Sequence, residues 1–200
     1  MAISTRDRIV GVTAELVRRQ GYAATGLKQI AAEAPAAFGS IYHFFPGGKD
    51  QLAAEVIRSA GRMYADLVAS VLLGAPDAVT GVGRAFTQAA EDLRATDYAD
   101  ACPIATVALE VASTNEPLRQ ATAEVFESWL DAGATYFATA GVDHDRAREL
   151  AAEFVMMLEG AFLLCRAMRT TEPLEIAGRA IQAVVRDALP ASTPRRPPRR

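Results

Sequence analysis

Cysteine and histidine are scarce in this chain, with two of each among 200 residues. Cys102 and Cys165 stand far apart, with no CxxC or Cys/His spacing around them. Neither a disulfide framework nor a metal site is therefore expected, and a reducing, cytoplasmic setting fits. Long apolar runs are missing too. Met1 to Arg8 moves straight into charge, and the most apolar later stretch, Phe154 to Cys165, is interrupted by Glu159 and too short for a bilayer. Neither export nor a membrane span is expected. No segment alternates apolar and polar residues between hairpin turns, which argues against strands. With no glycine-rich phosphate loop and no nucleophile in a recognised motif, enzymatic activity and a cofactor have nothing to rest on.

What the chain has in quantity is hydrophobic residues, 50% of the total, enough for a sizeable core. Apolar positions recur at i, i+3 and i+4, which predicts an all-α fold of about nine helices. The first helix runs from Thr5 to about Gln20 with Gly21 as its stop, and Thr25 caps a second from Gly26 to about Ala34. A third, about Ala36 to Phe44, ends at Pro46-Gly47-Gly48. Beyond that break a long helix from near Lys49 to Leu73 links a compact head to the body. The expected division is a head over 1–47, a body over 48–189 and a disordered basic tail over 190–200.

Charge is divided unevenly. Residues 1–60 carry seven Lys/Arg against five Asp/Glu, and residues 61–189 carry ten against nineteen. The tail adds four arginines and no acid, serving either solubility or loose attraction to phosphates. A slightly basic head on an acidic body suits a protein whose head alone meets a polyanion, and ordinary surface charge suits it equally.

Residues 27–45, LKQIAAEAPAAFGSIYHFF, carry the apolar mask of a helix-turn-helix. Ile30, Ala31 and Ala34 face inward from the supporting helix, and Ala36, Ile41 and Phe44 from the following one. Ala37, Phe38, Ser40, Tyr42 and His43 are left for a major groove and its phosphates. Gly21-Tyr22, Thr25, Ile30-Ala31, Gly39 to Phe45 and Gly48-Lys49 resemble the N-terminal domain of the TetR family of repressors. Cys102-Pro103-Ile104-Ala105, Leu109-Glu110-Val111 and Phe45 to Lys49 are similar to its LmrA/YxaF-like subgroup. The resemblance implies an omega-shaped homodimer on a palindromic operator in double-stranded DNA, released when a small, mostly apolar or aromatic effector enters the body. It also implies DNA contact by Thr25, Lys28, Ser40, Tyr42, His43 and Lys49, mostly to phosphates. Thr25 alternatively serves only as a cap, and Lys28 as a solvated charge.

Two departures fall where DNA is read. Pro35 stands where the family usually has glycine, and its ring holds φ near −65°, so the turn must be built differently. Phe38 stands where the subgroup often has Arg or Lys; it can touch a thymine methyl but bonds neither guanine nor phosphate. A preference for A·T pairs follows from Phe38. The competing reading is a helical ligand-binding or interaction protein whose head has lost its operator.

In the body, the periodic apolar residues of the last two helices, about 143–189, fit half of a four-helix dimer interface, with a larger monomeric core as the alternative. The resemblance places the effector among Met63, Phe86, Ile104, Trp129, Phe154, Met157 and Phe162, any of which could equally be plain core. Glu110 and Glu159 are ionisable residues on otherwise apolar stretches, serving either as polar anchors or in a solvated turn or an intramolecular hydrogen bond.

Overall fold

The computed structural model describes residues 4–99 and 102–190, and every regular element among them is a helix. In chain order these are α1 (Thr5–Ala24), α2 (Leu27–Glu33), α3 (Phe38–Phe44), α4 (Gly48–Leu73), α5 (Ala78–Ala95), α6 (Pro103–Val111), α7 (Glu116–Thr139), α8 (His144–Met168) and α9 (Glu172–Ala188). The basic segment beyond Pro190, expected to be disordered, lies outside the described residues.

Side-chain caps fix most of the helix starts. Ser4, Asp77, Cys102, Asn115 and Asp143 each accept an amide from the first turn of the helix they precede, satisfying a donor that a helix start leaves unpaired. Two boundaries differ from the sequence reading. The chain does not stop at Gly21 but kinks there, at φ 82° and ψ 174°, and turns once more to Ala24. Thr25 is not the cap of α2: its hydroxyl turns back and donates to the Gly21 carbonyl at 2.7 Å, which leaves Gly26 to open α2 without a side-chain cap.

Three apolar clusters stack along the molecule. The head cluster joins Ile9 and Leu16 of α1, Ile30 and Ala31 of α2, and Ile41 of α3 to Phe45 and to Leu52 and Val56 of α4. A bridging cluster packs Ile104, Val107 and Val111 of α6 against Val17, Ile57, Leu118 and Val125. The body cluster gathers Phe86, Leu93, Phe137, Leu150, Phe154, Cys165, Leu174, Ile181 and Val185. Each closed Leu, Ile or Phe contributes about 1.5–3 kcal/mol by leaving water. In the body α5 packs on α9, α9 on α8, α8 on α7, α7 on α4 and α4 on α5, a closed ring of helices. The crossing of α4 and α7 is close because residue 61 is glycine: a Cβ there would lie 2.5 Å from a methyl of Val125.

At 26 residues, α4 spans about 39 Å. Its first turns belong to the head cluster and its last to the body cluster, so one rigid rod connects the two.

Candidate nucleic-acid interface

α3 is two turns long and is held by one fully buried side chain, Ile41, with Phe45 closing its end at 0% exposure. That anchorage leaves the opposite side of the helix free. Phe38 and Tyr42, one turn apart, are 45% and 48% exposed, and their rings meet edge to face at 5.8 Å. His43 is exposed beside them with its ring 4.9 Å from that of Phe44, and Ser40 is partly exposed. On α2, Lys28 is exposed.

Lys49, in the first turn of α4, reaches the same edge. Its ammonium sits 4.0 Å over the Tyr22 ring and 3.5 Å from the Ala23 carbonyl, and burial lowers its pKa while the charges of Asp50 and Glu110 work against that lowering. Gly48 brings the pieces together, since its Cβ position lies 3.4 Å from the Tyr42 ring. Tyr22, Tyr42 and Lys49 thus converge from three helices.

Among the candidate DNA contacts Thr25 stands apart. Its side chain is 1% exposed and its hydroxyl is committed to Gly21, so what it offers a partner is the geometry of the α1–α2 turn. Pro35 sits in the turn between α2 and α3. The Ala36 amide donates to Ala31 at 3.1 Å and Arg8 donates to the Ala34 carbonyl at 3.3 Å, which pins the turn from both sides.

Behind this surface lies a polar junction absent from the sequence reading. The kink at Gly21 frees two amides: those of Tyr22 and Ala23 donate to the two oxygens of Glu110, on α6, at 3.2 and 2.7 Å. Gly21 is required twice over. Its φ is left-handed, and a Cβ would lie 2.0 Å from Glu110 Oε1. The Tyr22 hydroxyl donates to Asp50, which also accepts from Asn115 Nδ2 at 2.9 Å while Asn115 caps α7. Burial, the hydrogen bond to Asp50 and its charge raise the Tyr22 phenol far above its ordinary value. Head, α4, α6 and α7 are therefore joined by charge-assisted bonds. Gly21-Tyr22 is the only local sign of this junction, because Glu110 and Asn115 approach from distant parts of the chain.

The proposed effector residues separate into groups. Phe86 and Phe154 are buried and meet edge to face at 5.5 Å, with Met157 and Phe162 packed against the same cluster. Ile104 and Trp129 belong to the bridging cluster, where the indole donates to the Gly61 carbonyl at 2.9 Å. Met63 is the correction: at 60% exposure it lies on the outer side of α4, because a long helix packed on its other faces leaves one stripe to solvent. Glu110 is likewise no body anchor, since it holds the head. A cleft of ≈ 310 Å³ opens between α5 and α9, over Phe86, Gly178 and Gln182, and of the proposed effector residues only Phe86 lines it. No described helix is long and apolar enough to cross a membrane, and no described cluster of His, Cys, Asp or Glu could hold a metal ion.

Comparison with known proteins gives this geometry its context. Residues 9–56 match the family described as bacterial regulatory proteins, tetR family, and residues 78–180 match the C-terminal domain of LmrA/YxaF-like transcriptional regulators. An uncharacterized HTH-type transcriptional regulator of Mycobacterium tuberculosis is 34% identical over 190 residues, covering 92% of this chain and 96% of the relative. The uncharacterized HTH-type regulator YxaF of Bacillus subtilis is 31% identical over 182 residues, 91% of this chain and 95% of the relative. A crystal structure of a TetR-family regulator from Cytophaga hutchinsonii superposes with a TM-score of 0.82 over 96% of this chain and 100% of that one; at 18% identity it speaks to the fold alone.

Proposed function

Because this chain belongs to the TetR family of bacterial transcriptional regulators, and is not an enzyme, we propose that it is a repressor that binds a palindromic operator as a homodimer and lets go when a small molecule enters its body. The observation that carries the DNA reading is the free face of α3. A helix of two turns keeps Phe38, Tyr42 and His43 in solvent while Ile41 and Phe45 lock it from behind, with Lys49 and Lys28 at its edge. Hydroxyl, imidazole and ammonium groups suit phosphate contacts, which position a protein on the duplex, and Phe38 suits the methyl of thymine.

Pairing of two chains is supported by α8 and α9. Met156, Leu163, Leu164 and Met168 of α8 and Ile176 of α9 are each more than half exposed, alongside the exposed small residues Gly160, Ala167, Ala180 and Ala183. A contiguous apolar surface of this kind marks a protein interface, and two copies packed through it form a four-helix bundle. On this reading residues 1–47 read DNA, and 48–189 sense the effector and pair the chains. The ring of body helices encloses the effector. α6, which borders that ring and grips α1 through Glu110, carries the change to the head.

The test is a gel shift of the full-length protein against the intergenic DNA beside its own gene. The expected result is a discrete complex that weakens steeply with salt, through counterion release, and that Tyr42→Ala weakens about tenfold. A protein that shifts no fragment would instead support the reading of a helical interaction protein with a spent head.

A further inference from the structure

The carboxylate of Glu110 and the ammonium of Lys49 hold on to the same two residues. Glu110, from α6, accepts the amides of Tyr22 and Ala23 at 3.2 and 2.7 Å. Lys49, from α4, lays its ammonium 4.0 Å over the Tyr22 ring and 3.5 Å from the Ala23 carbonyl. The bonds that Glu110 makes therefore fix the platform on which Lys49 rests.

The platform is tied down at its far end as well. The Tyr22 hydroxyl donates to Asp50, and Asp50 accepts from Asn115 Nδ2 at 2.9 Å while Asn115 Oδ1 accepts the Leu118 amide at 3.1 Å and so caps α7. The stem of Lys49 is fixed by the start of α4, where the Gly47 amide donates to the Gln51 side chain at 2.7 Å and the Gly48 amide to the Phe45 carbonyl at 2.8 Å. Lys28, the only other lysine of the chain, is exposed and has no such partner among the described residues. A free lysine gives up most of its rotamers when it settles on a phosphate, whereas Lys49 has already given up many of its own.

We propose that Glu110 is a positioning residue for DNA binding: by gripping Tyr22 and Ala23 it holds the Lys49 ammonium ready at the phosphate-facing edge of α3, so that operator affinity depends on a side chain of the body. The proposal rests on the DNA reading and names the atoms through which α6 sets it. Its sign sets it apart from plain electrostatics. Glu110 is an anion close to a surface that meets a polyanion, so by charge alone its removal strengthens DNA binding. Positioning demands the opposite. A movement of α6 that draws the carboxylate off the two amides loosens Lys49 without any change in the fold of α3.

The test is a double-mutant cycle of Glu110→Ala and Lys49→Met in the full-length protein, with binding to the intergenic fragment measured across a range of salt. Glu110→Ala is expected to weaken binding about tenfold at low salt and to reduce the slope of log affinity against log salt by about 1, the loss of one phosphate contact. With Lys49 already replaced by Met it is expected to add less than about twofold, because the ammonium it positions is gone. Glu110→Gln keeps one acceptor oxygen and is expected to fall between the parent and the alanine variant; it carries the cycle if the alanine variant melts too low to assay. Tighter or unchanged binding by the Glu110 variants, or losses that add to those of Lys49→Met with the slope unchanged, overturns the positioning role and leaves the DNA reading standing. A parent protein that shifts no fragment overturns the DNA reading itself.

Discussion

The head and the body both leave large apolar side chains in water, and they do so in different ways. On α3 the exposed rings of Phe38 and Tyr42 form one small pair, mixed with Ser40, His43 and the nearby Lys49. On α8 and α9 the exposed large apolar residues are aliphatic or sulfur-bearing and run several turns, from Met156 to Met168 and on to Ile176, with small residues between them. A pair of rings among donors suits a wet, charged groove; a broad, mostly apolar stripe suits a copy of itself. The contrast teaches that exposure has to be read with its neighbours.

A charge placed in the stripe breaks the comparison most sharply. Leu163→Glu buries an unpaired carboxylate in the proposed interface and is expected to weaken dimerisation about a hundredfold or more, with the monomer visible by light scattering behind a sizing column. The same substitution leaves the head intact, so a chain that lost its DNA contacts while remaining dimeric would point away from α8 and α9 as the pairing surface.

The junction between the two regions comes next. Gly21→Ala forces a left-handed φ on an L side chain and sets its Cβ 2.0 Å from Glu110 Oε1. The strain alone costs about 1–2 kcal/mol, and displacing Glu110 from two amides adds roughly another 1–2 kcal/mol. A fall in melting temperature of about 5–10 °C is expected for a chain of this size, and an unchanged melting curve would mean that the kink is not held as described.

On the head, Lys49→Met is expected to weaken operator binding about tenfold at low salt and to reduce the slope of log affinity against log salt by about 1, the signature of one lost phosphate contact. Thr25→Ser keeps the hydroxyl that Gly21 accepts and is expected to change binding little; Thr25→Val loses that bond and loosens the turn.

The smallest effect belongs to Glu159, and its sign is diagnostic. Burial beside Cys102 raises the folded-state pKa above the ordinary value of 4.5. Such a group contributes its full stability only below the unfolded carboxyl's range and loses it as pH rises through the folded value. Glu159→Gln should therefore match the parent near pH 4 and become more stable than it toward neutrality, as followed by thermal melts across pH. A variant less stable at neutral pH would mean that Glu159 is paired with a cation after all.

Much of the fold was legible because helices are local. The apolar period and the breakers at Pro46-Gly47-Gly48 and Gly74-Ala75-Pro76 mark the nine helices of the described residues to within a few residues. What escaped was long-range or conformational. The Glu110 grip on Tyr22 and Ala23 spans 88 and 87 positions, and no periodic pattern encodes such a partner. Thr25 has the composition of an N-cap, yet the kink at Gly21 supplies a nearer carbonyl and takes its hydroxyl. Met63 shares the apolar character of its helix and still faces water, because period alone does not say which faces a long helix finds partners for. At the proposed DNA face, the residues that would touch bases are chosen by the operator as well as by the chain, so sequence proposes a face but not the contacts.

Hydroxyl-radical footprinting of the intergenic fragment tests the central claim most directly, that two α3 faces held by one α8–α9 pairing dock on successive grooves. The account predicts two symmetric protected patches about 34–36 Å apart on one side of the duplex, both lost with Leu163→Glu. A single patch, or protection that survives in a proven monomer, would contradict it.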